Sequence, residues 1–179
     1  TSNSLAVSII LNRSFIMAVP QNPLERVTLR NPIHFLALGF GSGLLHPAPG
    51  TWGSLVGVIV GALLLPWLGA KTFFILTALC FFLGIWLCER TSHDMGVHDH
   101  GSIVWDEIVA VFLVLLAVPH VSLFWCTIAF VTFRLFDILK PYPIRYFDEK
   151  LTNGFGIMVD DILAAGYSIL VILALARFI

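Results

Sequence analysis

Apolar positions in this chain come in long blocks, with polar residues gathered in short clusters between them. Four long runs carry no Lys, Arg, Asp or Glu: residues 31–70, 72–88, 108–133 and 162–176. A membrane-crossing helix needs about 20 mostly apolar residues. Leu55–Leu68 with its flanks and Thr72–Cys88 meet that requirement. Pro119 interrupts the third run, because proline lacks an N–H and disfavours helix at the residue before it. The run therefore predicts a hairpin of two shorter helices, 104–118 and 121–138. The first arm reaches only about 22 Å at 1.5 Å per residue, less than a bilayer core. Residues 160–178 supply the last span. Residues 33–46, with Gly39, Gly41 and Gly43, are too short and glycine-rich to span and predict an interfacial or re-entrant segment. The expected fold is all-α, a polytopic membrane helical bundle with that N-terminal segment at its edge. The first 16 residues weakly mimic a signal sequence without a cleavage site, and Met17 is a candidate natural start.

Composition agrees with the pattern. Hydrophobic residues make up 58% and charged residues 12%, against about 25% charged in a soluble domain. That excludes intrinsic disorder and an ordinary soluble globule. Ten Lys and Arg against eleven Asp and Glu leave no basic excess, which argues against nucleic acid as a partner. Cys80, Cys88 and Cys126 all sit in apolar runs and read as core or lipid-facing residues rather than a disulfide framework. With the N-terminus inside and spans alternating, Arg13, Arg26, Arg30, Arg90, Arg134, Lys140, Arg145 and Lys150 fall on the cytoplasmic side. Only Lys71 and Arg177 fall outside, in keeping with the positive-inside rule. All the acidic residues fall on the cytoplasmic side too, which predicts a polar site at one membrane face.

Four clusters carry candidate chemistry. His46-Pro47-Ala48-Pro49-Gly50-Thr51-Trp52-Gly53-Ser54 precedes an apolar helix. It reads either as an anion-binding turn, with Thr51 and Ser54 as hydroxyl donors, or as a proline-rich turn with a Ser or Thr N-cap. His93-Asp94 and His98-Asp99-His100 lack metal-site spacing and read as a solvated loop. They lead into Asp106-Glu107, whose paired hard oxygens suit Mg²⁺. Arg134, Asp137 and Lys140 lie three apart and share one face if the helix persists; an edge ion pair with snorkelling basic residues is the alternative. Arg145 and Lys150 continue as a basic loop suited to anionic lipid. Asp160-Asp161 open the last span. Capping by Asp160 would explain one of them and leave the other without a role. Together the clusters bring Asp106, Glu107, Asp137, Asp160 and Asp161 to the same ends of three helices, with Arg134 and Lys140 nearby. One or two Mg²⁺ ions there would make a phosphoryl-handling site.

These residues resemble a known family. Gly50-Thr51-Trp52-Gly53-Ser54-Leu55, Ile103-Val104-Trp105-Asp106-Glu107, Phe133 through Pro141 and Gly154 through Asp161 match phosphatidylglycerophosphatase A, a bacterial membrane lipid phosphatase, in order, spacing and text. The likeness covers roughly residues 32–179 and leaves 1–31 as an N-terminal extension. Ala110 departs from it, where the family often has glycine. The resemblance implies a compact helical membrane domain in the bacterial cytoplasmic (inner) membrane and a phospholipid substrate. It implies Mg²⁺-dependent removal of the terminal phosphate from phosphatidylglycerophosphate. From the charge map, Asp106, Glu107, Asp137, Asp160 and Asp161 are assigned to catalysis, with Asp106, Glu107, Asp137 and Asp161 as metal ligands and one of the five as general base. Thr51, Ser54, Arg134 and Lys140 are assigned to the substrate phosphate. The active site would face the cytoplasm. Metal-activated water is favoured over an aspartyl-phosphate route.

Competing chemistries lack their motifs. There is no Cys-x5-Arg loop, no Asp-x-Asp start and no Lys-x6-Arg-Pro signature. A membrane phosphotransferase of phospholipid synthesis would need Asp-Gly-x2-Ala-Arg, which is missing. A small ion-binding transporter would place its polar residues near the midplane, whereas here they gather at one edge.

Overall fold

A computed structural model of the chain describes residues 22–179. The signal-like stretch, Arg13 and Met17 lie outside the described residues. All regular structure among the described residues is helical: α1 (Pro32–Ala37), α2 (Pro49–Met95), α3 (Trp105–Leu115), α4 (Leu123–Leu139), α5 (Ile144–Lys150) and α6 (Gly154–Leu175), with 3₁₀ turns at Pro23–Arg26 and Gly39–Leu44. Helices α2 and α6 are long and apolar enough to cross a membrane.

Helix α2 is two rods joined at Gly69, whose backbone (φ 75°, ψ 157°) is far from helical and is open to glycine at little cost. The contacts to α3 show that the chain reverses there. Gly53 faces Val104, Gly57 faces Ile108 and Gly61 faces Leu115. On the return, Phe73 meets Phe112 at a ring separation of 5.2 Å. Trp105 Nε1 then donates to the Cys80 carbonyl at 3.0 Å, and Gly84 faces Trp105. The predicted spans on either side of Lys71 are therefore an antiparallel hairpin embracing α3. A Cβ at Gly57 would lie 3.1 Å from the Ile108 Cα, so the small residues of the first rod set how closely the two backbones approach.

Helix α3 is shorter than its predicted range, ending at Leu115 in turns before Pro119. It is buried on nearly all sides: Val109, Ala110, Val111, Val114 and Leu115 are inaccessible. Ala110 thus sits in tight packing, where its single methyl group is accommodated. Helix α4 runs back to the starting end. Leu55, Val58 and Ile59 of α2 line one groove together with Leu123, Cys126 and Phe130 of α4.

The last helix begins six residues before its predicted start of 160, because Asn153 caps it by accepting the Gly156 N–H at 2.9 Å. Asp160 is accordingly not a cap, and both aspartates lie inside the helix. The first polar cluster also differs from its capping alternative. Ala48 occupies the N-cap position without a side-chain hydrogen bond, Pro49 opens α2, and Thr51 and Ser54 lie within it.

The segment before α2 packs as a short helix and a 3₁₀ turn against the end of α2. His34 Nε2 donates to Asp94 Oδ2 at 3.1 Å, while His34 Nδ1 accepts the Thr28 N–H at 3.1 Å. The reversals at Gly69 and Pro119-His120 share one cleft at the opposite end of the bundle. Among the described residues the polar clusters therefore lie at one end, and the two reversals and the C-terminal end of α6 lie at the other.

Candidate active site

Three elements build the first half of the site. Glu107, in the first turn of α3, projects its carboxylate against Gly50 and Gly53 at the start of α2. A helix start favours negative charge, and here that place is taken by a carboxylate of the protein. Arg134 on α4 closes the arrangement. Its Nη1 lies 2.9 Å from Glu107 Oε1 and 2.6 Å from Asp137 Oδ2. The same nitrogen reaches Ser54 Oγ at 3.4 Å, while the Ser54 hydroxyl donates to the Gly50 carbonyl at 2.8 Å. Ser54 is fully buried with its proton committed, so it supports Arg134 from beneath. Thr51 is half-buried in the first turn of α2, its backbone N–H on the Ala48 carbonyl at 3.0 Å.

A methyl group at Gly50 would land on Glu107 Oε1 and lie 3.0 Å from Arg134 Nη1. Both atoms end flexible side chains, so the fold can give way where the site cannot. Gly50→Ala is expected to keep its melting temperature within a few degrees. It should lower kcat by about 10–100-fold, as for other groups that orient a reacting shell. Parallel thermal unfolding and phosphate-release assays check this.

The second half centres on Lys140. Helix α4 ends at Leu139, and Lys140 turns into the left-handed region (φ 41°). Lys140 therefore leaves the face it was predicted to share with Arg134 and Asp137. Its ammonium contacts Asp160 Oδ2 at 2.8 Å and Asp148 Oδ1 at 2.7 Å. An ammonium has three N–H donors, so one stays available. Burial works against its charge, but the carboxylates of Asp160 and Asp148 outweigh burial and hold the amine protonated well above the usual lysine range. A left-handed lysine is disfavoured relative to glycine, and strain of this kind gathers at functional sites.

Asp106 and Asp161 complete the cluster from α3 and α6, both buried. Asp106 Oδ1, Glu107 Oε2, Asp160 Oδ1 and Asp161 Oδ2 are buried without a hydrogen-bond partner. Buried polar atoms are nearly always paired, so four orphaned carboxylate oxygens at one end call for a cation or a proton donor. Among the described residues no three His, Cys, Asp or Glu side chains converge into a ligand set of their own. The donors nevertheless suit Mg²⁺, which is often held by one or two carboxylates together with water and substrate phosphate.

The structure thus gathers Asp106, Glu107, Asp137, Asp160, Asp161, Arg134 and Lys140 at one end, with Ser54 beneath. Sequence reasoning missed two members. Asp148 was passed over within a basic loop, yet that stretch is helix α5 and Asp148 pairs with Lys140. Asp99 belongs to the stretch that reads as a solvated loop. It is exposed, yet partial loss of water raises its carboxyl above the usual range, against the pull of Lys140 and His98. Spacing carried no signal for either residue, since both meet the site only through the fold.

Residues 35–176 match the family Phosphatidylglycerophosphatase A. The chain belongs to that family. It is 66% identical over 154 residues to a phosphatidylglycerophosphatase A of Haemophilus influenzae, covering 86% of this chain and 94% of the relative. It is 46% identical over 142 residues to a phosphatidylglycerophosphatase A of Escherichia coli, covering 78% and 81%. A putative phosphatidylinositol-3-phosphatase of Bacteroides thetaiotaomicron is 40% identical over 150 residues, covering 80% and 92%. No solved structure matches. Phosphatidylglycerophosphatase A is a phosphatase family, and the match spans every residue of the cluster from Gly50 to Asp161.

Proposed function

We propose that this enzyme hydrolyses the terminal phosphate monoester of phosphatidylglycerophosphate, giving phosphatidylglycerol and inorganic phosphate, with Mg²⁺ as cofactor. The observation that carries the reading is the set of orphaned carboxylate oxygens on Asp106, Glu107, Asp160 and Asp161 facing the same end as Lys140 and Arg134. Acids alone would repel a phosphate and bases alone would only bind it. A mixed set with unsatisfied oxygens fits a cation and a phosphate held together.

Of Asp106, Glu107, Asp137 and Asp161, one or two would hold Mg²⁺ directly and the others through water, and the ion would supply positive charge at the substrate phosphate and make a bound water more acidic. The third N–H of Lys140 is directed to the phosphate. Arg134, fixed between Glu107 and Asp137, keeps those carboxylates in register and adds positive charge beside the reacting group. One carboxylate accepts the proton of the attacking water as the phosphorus–oxygen ester bond breaks, and that proton is returned to the departing glycerol oxygen to give the alcohol.

Membrane embedding supports a lipid substrate. Large side chains such as Leu63, Trp67, Phe82 and Leu123 stand exposed along the bundle, a surface suited to acyl chains rather than water. The five rods are read as a multi-pass bundle in a bacterial inner membrane, with the charged end at the cytoplasmic face and α1 at the interface.

Purified protein in mixed micelles should release phosphate from phosphatidylglycerophosphate. Release should fall to background with EDTA and return with added Mg²⁺. Phosphatidylinositol 3-phosphate serves as the competing substrate. Faster release from it would reassign the headgroup, and no release from either lipid with any divalent cation would overturn the reading.

A further inference from the structure

Helix α6 holds a glycine that the protein does not use. Gly57, Gly61, Gly84, Gly154 and Gly156 each lie where a Cβ would strike a neighbour, and Gly69 and Gly96 have positive φ. Gly166 is helical, and a Cβ there would meet nothing within 4 Å. Glycine inside a helix is less stable than alanine, and neither backbone geometry nor internal packing accounts for it here.

Gly166 forms the floor of a cleft of about 410 Å³ lined by Pro143, Ile162, Leu163, Gly166, Tyr167 and Leu170. The lining is apolar save for the Tyr167 hydroxyl, which is committed to the Tyr142 carbonyl at 2.8 Å. The upper end of the cleft adjoins the site on two sides. Pro143 follows Lys140 by three residues, and Leu163 lies one helical turn below Asp160, which pairs with Lys140 at 2.8 Å. The groove descends about 12 Å along α6 from Ile162 to Leu170, at 1.5 Å per residue. It therefore leads from the candidate phosphate position into the level of the apolar rods.

We infer that this groove seats one acyl chain of the lipid substrate, with the open space at Gly166 admitting the chain. The inference rests on the lipid-phosphatase reading and adds how the enzyme holds the part of its substrate that does not react. Contact with the chain fixes the glycerol backbone beside Pro143 and delivers the phosphate to Lys140. Binding far from the reacting bond is used in this way to orient the bond.

Gly166→Leu fills the groove from its floor. With phosphatidylglycerophosphate carrying oleoyl or hexanoyl chains in the same micelles, the ratio of the two KM values, oleoyl over hexanoyl, should rise about tenfold. Leu79→Phe, on the exposed face of α2 away from the groove, should leave the ratio unchanged. An unchanged ratio in Gly166→Leu, or an equal loss on both substrates, overturns the inference. A second measurement needs no variant and no turnover. An oleoyl-length analogue with a photoreactive diazirine at mid-chain should label the α6 segment 163–170 or Pro143 in the wild-type protein. Labelling instead on the apolar groove along Phe74–Phe82 would overturn the assignment. Wild-type protein that labels at α6 yet releases no phosphate would defeat the phosphatase reading and leave the groove standing.

Discussion

Asp161→Asn is expected to lower phosphate release by about 10³-fold, the scale seen when a positioned acid, base or charge is removed from a reacting centre. In the presence of EDTA the same change should raise the melting temperature. Asp161 is buried, one of its oxygens has no partner, and the carboxylates of Asp137, Asp106, Asp160 and Glu107 all act on its charge. An amide of the same shape removes that repulsion and adds two N–H donors for the orphaned oxygens nearby. Relieving one buried, unsatisfied group is worth about 1–3 kcal/mol. Asp106→Asn should behave in the same way, since Asp106 Oδ1 is also unpartnered. Activity lost together with stability gained is the signature of a site held against its own repulsion. A carboxylate that served only the fold would lose stability on substitution and keep turnover. Differential scanning fluorimetry in detergent beside phosphate release separates the two. If either variant kept more than a tenth of wild-type activity, that residue would drop out of the site.

The helices were legible in the sequence wherever charge marked their ends. Lys71 marks within two residues the break between the rods of α2 at Gly69, and Pro119, which lacks an N–H, separates α3 from α4. The starts were less legible. Asp160 resembled a cap because acids favour helix starts, yet Asn153 took that role once Gly154 and Gly156 allowed the chain to pack against Ile85 and Leu151. The glycines at 50 and 53 suggested a loop open to phosphate. They are instead helical, and their small size makes room for the Glu107 carboxylate. That exchange depends on α3 lying against α2, a long-range contact that local pattern does not encode. Lys140 shows the same limit. Its spacing from Asp137 placed it on the face of α4, but the helix ends one residue earlier and the ammonium turns to Asp148 and Asp160. Clustering at one end followed from counting charges between apolar runs; pairing within the cluster required the packed bundle.

Arg134 carries the largest expected effect on folding. Its side chain is 15% exposed, and those of its partners Glu107 and Asp137 are 12% and 13% exposed, so all three are mostly out of water. Removing one member of such a buried pair leaves an uncompensated charge and costs about 3–5 kcal/mol. Here two carboxylates lose their counter-charge at once, and Arg134→Met should fall at the upper end of that range. It should also lose phosphate release altogether. Lower stability alone would not reveal whether the guanidinium serves the fold or the chemistry, and the triple variant Arg134→Met/Glu107→Gln/Asp137→Asn distinguishes them. With the carboxylates made neutral, nothing remains to be compensated, and most of the lost stability should return, because well-packed neutral replacements for buried ion pairs are often neutral or stabilising. Activity should stay at background, since Glu107 and Asp137 are removed along with the positive charge. A triple variant as unstable as the single one would mean that the packing of the Arg134 stem against α2, rather than its charge, holds the two helices together. Recovered activity in the triple variant would remove all three residues from the reaction.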